Sequence, residues 1–331
     1  MRRLLRNVVL SLLLYLLVFG ALTDRPLSLG LLRLELQQKT ARLASLPSPK
    51  LVILAGSNGP YSHSCAVIGA MLALPCENAG IAVGIGLDDL FLRYEPLLRR
   101  GDIVYMPMEL EQYTASAAQY RAGVDGALLL RFDRSELAAL PPGRIAGALL
   151  CCTLGDFVES LVEMPLAWRG VIAPAHVLAS EYNADGDRID TPLDQALPAL
   201  LDLPARPVPT ASEISSGYGR ALIADFVQRE TAKGVVVAGG LPVDFSSARP
   251  PPDVLAALSS AYAGQFIVLA NSSLYPRADF FNSEDHLAQP CQYLQSIKVA
   301  AALAALLHRP LYPAPPWVLA AAASCPSAQS N

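Results

Sequence analysis

Four short apolar runs punctuate the chain without the alternation of a half-exposed strand: Leu51-Val52-Ile53-Leu54, Ile103 to Met106, Val235 to Ala238 and Phe266 to Ala270. A strand that is apolar at every position is covered on both faces, as in a parallel sheet. A weaker strand signal ends near Cys76-Glu77-Asn78. Each run leads into polar or glycine-rich residues and then into helical patterning. Strand, loop and helix in alternation predict a doubly wound, mainly parallel five-stranded α/β sheet. Such sheets bind their ligands beyond the carboxyl ends of the strands. The residues just after each run are therefore the ones to search for chemistry.

The remaining segments have other textures. Asn7 to Leu22 carry no charge and follow Arg2, Arg3 and Arg6, the pattern of a signal anchor or of a signal peptide. The flank lacks a good small-x-small cleavage site, and the arginines can snorkel to the headgroups while remaining cytoplasmic. The expectation is an inner-membrane anchor over residues 1–23 with the rest of the chain extracytoplasmic; secretion after cleavage and a buried helix are the alternatives. Residues 24–49 read as a connector in which Leu31 to Leu46 can form a helix. Residues 50–308 form the main domain, interrupted at about 114–217 by a stretch too long for a simple crossover. That stretch holds a helical pattern at Ile145 to Glu163, a polar Glu181-to-Asp187 loop and a proline-rich run from Pro192 to Pro209, and reads as a helical cap. Beyond His308 come five prolines, so residues 309–331 read as a loosely ordered tail.

Composition adds limits. The chain is 53% hydrophobic, 16% charged and formally −4, and more negative still once the three leading arginines are set aside. A mildly acidic body with no basic run argues against nucleic acid as a partner. The six cysteines match no zinc spacing, and no cofactor or metal motif is read; an oxidising compartment would permit disulfides, Cys65–Cys76 among the possible pairings.

Three segments fall at strand ends. In Ala55-Gly56-Ser57-Asn58 a tight turn presents a serine hydroxyl beside backbone N–H groups. In Asn78-Ala79-Gly80, the absence of a side chain lets the Gly80 N–H approach a neighbour closely. In Phe281-Asn282-Ser283-Glu284-Asp285-His286, shortly before the last long helix, a neutral imidazole can take the serine's proton. His63 is a rival base, but it rides on the helix leaving the serine turn. His176 and His308 read as structural.

Together these segments resemble the SGNH (GDSL-like) hydrolase superfamily: Gly56-Ser57 after the first strand, Asn78-x-Gly80 after the second, and an amide or acid with a histidine before the last helix. More narrowly the chain looks like membrane-anchored members associated with O-acetylation of cell-surface polysaccharides. There the Leu-Val-Ile-Leu-Ala-Gly-Ser-Asn run, the Asn-Ala-Gly turn and Gly101-Asp102-Ile103-Val104 leading to Glu109-Leu110-Glu111-Gln112-Tyr113 have counterparts. The resemblance implies a flavodoxin-like sheet order, Ser57 as nucleophile, His286 as base, and an oxyanion hole from the N–H groups of Ser57 and Gly80, with Asn58 as a further donor. The superfamily's acid falls near Asn282 or Ser283, so Asn282 is the orienting residue, with Asp279 or Asp285 as alternatives. Where the family supplies an oxyanion asparagine after the third strand, this chain has Met108-Glu109-Leu110-Glu111; Glu109 and Tyr113 are read as substrate-binding.

Two functions follow. One is a membrane-tethered serine esterase or O-acyltransferase acting on a carbohydrate polymer, with a membrane-bound O-acyltransferase partner implied by the resemblance. The other is a non-catalytic scaffold or glycan-binding component of a polysaccharide modification or export complex.

Overall fold

The computed structural model describes residues 1–22, 27–121, 133–149, 180–197, 206–245 and 249–329, with isolated residues between 126 and 169. In chain order the elements used below are α1 (Arg2–Leu22), α2 (Leu27–Ser45), β1 (Leu51–Ile53), α3 (Asn58–Ser62), α4 (Cys65–Leu72), β2 (Cys76–Asn78), α5 (Leu87–Tyr94), β3 (Ile103–Met106) and α6 (Leu110–Thr114). They continue with α7 (Pro142–Leu149), α8 (Tyr218–Lys233), β4 (Val236–Gly240), β5 (Phe266–Ile267), β6 (Phe280–Ser283), β7 (His286–Leu287), α9 (Gln289–Leu306) and α10 (Pro316–Ala322).

The five expected strands form one parallel sheet in the order β2-β1-β3-β4-β5. Burial explains why the runs are continuous rather than alternating. Leu51, Ile53, Ile103 and Tyr105 pack with α4 and α9 on one face. Val52 and Val104 point the other way and are buried as well. α5 and α8 join each other through the stacked rings of Phe91 and Phe226, 4.3 Å apart. At the amino edge, the buried Lys50 ammonium pairs with Asp102 at 3.1 Å. At the carboxyl edge, the order reverses direction between β1 and β3, which opens the crevice where ligands bind in this topology.

The chain divides into two compact units, one made of Met1–Glu35 with Tyr120–Ala179, the other of Leu36–Gln119 with Ser180–Asn331. The larger unit contains the whole sheet. In the smaller one, α1 is a helix over the expected charge-free run, and Leu4, Leu5, Leu10 and Leu17 are exposed. Among the described residues, no helix is long and apolar enough to cross a membrane. The expected cap is thus split: Tyr120–Ala179 goes with the smaller unit, whereas the Glu181-to-Asp187 loop packs on the sheet. α7 overlaps only the first residues of the helix expected at Ile145 to Glu163; residues 150–157, with Cys151 and Cys152, and His176 lie outside the described residues.

The tail is a correction. It is held, not loose: Val318 and Ala322 are buried, α10 packs on α9, and the Tyr312 N–H donates to Met71 O at 2.8 Å. A disulfide, Cys291–Cys325, joins the start of α9 to the end of the chain. Proline-rich composition signalled the lack of a long helix, not a lack of packing. A second disulfide, Cys65–Cys76, ties α4 to β2.

Candidate active site

β1 delivers its chain through Leu54-Ala55-Gly56 to Ser57, which caps α3 in helical backbone geometry and makes no side-chain capping bond. The turn is clamped by a residue from the next strand. Glu109, leaving β3, accepts the Gly56 N–H on Oε2 and the Asn58 N–H on Oε1, each at 3.0 Å. One buried carboxylate therefore grips both neighbours of Ser57. Gly56 has to be glycine for this, since a Cβ there would lie 2.4 Å from Glu109 Oε1. Burial, and then the nearby Asp285 charge, push the Glu109 carboxyl up to about 8, against the opposing pull of the two N–H bonds.

Gly80 closes on the same turn. A Cβ on it would lie 2.9 Å from Gly56 O and 2.8 Å from Pro60 Cδ, and the Ile81 N–H donates to Ala55 O at 3.2 Å. Among the described residues, the N–H groups of Ser57 and Gly80 have no protein acceptor, so they are the two amides of this turn left to receive a ligand oxygen. Asn58 does not join them. Its N–H belongs to Glu109 and its side-chain amide donates to Pro107 O at 2.8 Å, so it is a structural residue beneath the turn.

The histidine arrives on a hairpin. β6 and β7 pair antiparallel with Ser283 opposite His286. Across that turn the Asn282 Oδ1 accepts the His286 Nδ1–H at 2.7 Å. With the proton on Nδ1, the lone pair is on Nε2, which is buried and has no hydrogen-bond partner. Tyr61 lies flat on the imidazole, with centroids 3.7 Å and planes 5° apart. Tyr61 follows Ser57 by one turn of α3, so base and serine are carried by adjoining surfaces of one short helix. Ser62 fixes the join: its hydroxyl donates to Asp285 O at 2.6 Å and accepts the Leu287 N–H at 3.2 Å. Burial holds the His286 pKa below the usual imidazole range; Asp285 opposes this, and Arg188 assists it. Ser57 and His286 are not hydrogen-bonded to each other, since Nε2 has no partner.

The alternatives for the orienting group separate cleanly. Asp279 is buried but receives the Ser327 hydroxyl of the C-terminal segment and makes no hydrogen bond to the His286 ring. Asp285 approaches Nε2 at 3.7 Å, the wrong nitrogen for an orienting role. Asn282 alone holds Nδ1. Tyr113 is also a correction: it is fully buried and bonds to the Tyr262 hydroxyl at 2.7 Å, so it touches no substrate. Glu109 acts first on the protein's own amides. His63 is fully buried, 3.3 Å from Asn58 O, with burial lowering its pKa to about 4; it is no rival base. His308 ends α9 with a φ of 49°.

Several supporting residues escaped the sequence reading. Asp187 accepts the N–H groups of Cys65 and Ala66, the Ser64 hydroxyl and the amide of Asn78. It thereby pins the start of α4 to the end of β2. The Asn-Ala-Asp-Gly-Asp composition signals a tight turn but says nothing of where it docks. Lys39 of α2 reaches the carbonyl of Gly80. Arg188 sits over Tyr61, its guanidinium carbon 5.2 Å from the ring centre. Beside the site is a cleft of about 400 Å³ whose lining includes Glu109, Arg206 and Asp285.

No family model matches the chain, and no curated protein or solved structure matches it either.

Proposed function

We propose that this protein is an extracytoplasmic serine esterase or O-acyltransferase acting on a carbohydrate polymer. The observation that carries the reading is the Asn282–His286 bond, which leaves an unpartnered, unprotonated Nε2 on a ring stacked against Tyr61 of the short helix that Ser57 caps. Ser57 Oγ attacks the carbonyl carbon of an acyl ester or thioester while His286 Nε2 takes its proton. The tetrahedral oxyanion is received by the N–H groups of Ser57 and Gly80. The leaving group departs with the proton from His286, and an acyl-serine remains. A sugar hydroxyl, or water, then gives its proton to Nε2 and attacks the acyl carbon, and Nε2 returns the proton to Ser57. Catalytic hydrogen bonds commonly tighten only when substrate is bound, which accommodates the unjoined Ser57–His286 pair.

Attachment through α1 fits its exposed leucines and leading arginines, and two disulfides fit an oxidising compartment. Transfer across a membrane would need a membrane-bound O-acyltransferase as the source of acyl groups. The second reading, a scaffold or glycan-binding component, is favoured by the same unjoined pair. A fluorophosphonate probe separates them. Labelling of the wild type but not of S57A, together with loss of p-nitrophenyl acetate hydrolysis in H286A, is expected. A folded wild type that resists the probe sinks the catalytic reading.

A further inference from the structure

The imidazole of His286 lies on the ring of Tyr61 almost without tilt, with centroids 3.7 Å and planes 5° apart. That is closer than the roughly 4.5–7 Å of offset or edge-to-face pairs, which neutral rings prefer because their electron-rich faces repel. A positively charged ring escapes that repulsion, since the face of a phenol attracts a cation. The stack therefore suits the protonated form of His286 better than the neutral one.

The stack is also held in place. Ser62, the next residue of α3, bonds both neighbours of His286, donating to Asp285 O and accepting the Leu287 N–H. The imidazole cannot slide off Tyr61 without breaking those bonds. At Nδ1 the ring meets the amide of Asn282, which brings no charge. Burial works against protonation, and the charged groups around the ring are evenly divided: Asp285 and Glu284 favour the imidazolium, Arg188 and Arg206 oppose it. Most of these charges have other partners. Arg206 pairs with Glu284, Arg188 pairs with Glu181, and Asp285 receives the Ser283 hydroxyl. Tyr61 is the group that meets the imidazole face to face. The guanidinium carbon of Arg188 stands 5.2 Å from its centroid, so this phenol already attracts one positive group.

We propose that Tyr61 is a positioning residue for His286 whose π face stabilises the imidazolium formed when Nε2 takes a proton, the part a carboxylate would play at Nδ1. In the acyl-transfer reading above, that proton comes from the Ser57 hydroxyl and departs with the leaving group. The phenol face then meets a cation only between the two transfers. This catalytic consequence rests on that reading, whereas the effect on the basicity of His286 does not.

The test follows the imidazole directly, so it survives a failure of catalysis. Full-length protein in detergent, labelled with nitrogen-15 histidine, is titrated by NMR as wild type, as Y61F and as Y61L. Two further samples carry the phenylalanine ring of Y61F with three and with five fluorines, which drain the ring face while nearly keeping its shape. Y61F is expected to hold the His286 midpoint close to wild type. Y61L is expected to lower it by roughly half a pH unit or more, and the fluorinated rings to lower it stepwise. Fluorophosphonate labelling should slow at least threefold along the same series, with the KM for p-nitrophenyl acetate unchanged. A midpoint that ignores the fluorines, or that rises in Y61L, overturns the proposal. Labelling rates that stay level while the midpoint moves overturn its catalytic consequence. A fluorine-ordered shift in a wild-type background that resists the probe would sink the enzyme reading and uphold the stack.

Discussion

The proposed base, His286, is oriented by the amide of Asn282 and not by a carboxylate, and this sets its pH behaviour. An amide orients the ring but adds no charge to stabilise an imidazolium. Burial already lowers the pKa of His286. The acidic limb of the esterase pH–rate profile is therefore expected below the ordinary imidazole value of about 6.5. N282D should move that limb upward, and N282A should lower kcat by roughly tenfold or more while leaving KM nearly unchanged. A limb that stays put in N282D would remove Asn282 from the site. Two other buried groups leave signatures in stability. His63 has its folded pKa depressed to about 4, so the unfolded state binds the proton first. Stability from this group is intact above pH 6.5 and falls as pH drops towards 4, by roughly 3 kcal/mol. Urea titrations of wild type and H63N at pH 7.5 and 4.5 should show the variant losing less. For Glu109 the sign reverses: its folded pKa is raised to about 8, so stability is lost as pH rises through that value. E109Q should flatten the decline between about pH 4.5 and 8. E109A, which strands two buried N–H groups, should cost about 2–4 kcal/mol.

At the scale of elements, the site is a meeting of three loops on one short helix. The Ser57 turn, the Gly80 loop and the β6–β7 hairpin each touch α3 or its cap, and a Cβ on Gly80 would lie 2.8 Å from Pro60 Cδ and 2.9 Å from Gly56 O. G80A should destabilise the fold by about 1–3 kcal/mol and reduce acylation more than that loss explains, as seen in single-turnover labelling. The contacts also show what a sequence can and cannot disclose. Four of the five sheet strands were legible because continuous apolar runs record burial on two faces, a local property; β2, Cys76–Asn78, has no such run and gave only a weaker signal. Ser57, Gly80, Asn282 and His286 could be singled out as candidates from their places after a strand or before the last helix, and the structure gathers them around α3. Glu109 was visible as an oddity but not as a clasp, since its partners lie more than fifty residues earlier. Tyr113 was misread for a related reason: nothing local tells an exposed tyrosine from one whose hydroxyl meets Tyr262. Asp187 and Tyr61 depend wholly on where distant segments dock.

For the molecule as a whole, the C-terminal segment matters more than its proline content suggests. The Cys291–Cys325 bridge closes a separation of 34 residues. Removing it should cost about 3–4 kcal/mol in the chain-entropy account. The same loss would free the Ser327 hydroxyl from Asp279, just before the hairpin that carries His286. C291S/C325S should therefore show a lowered Tm and a weaker catalytic rate even below that Tm. Retention of full activity in the folded double variant would show that the tail only stabilises.

The contact between Lys39 and the Gly80 carbonyl bears on how the protein can be dissected. α2 reads as a mere lead-in to the domain, yet Leu36 and Leu43 are buried and Lys39 bonds the carbonyl of Gly80, whose N–H belongs to the proposed oxyanion pocket. A soluble version begun at Lys50, the first residue of the strand pattern, would keep Ser57 and His286 and still lose the brace behind Gly80. A version begun at Leu27 keeps the whole of α2 and with it this brace, and K39M in the uncut chain should reproduce much of the damage.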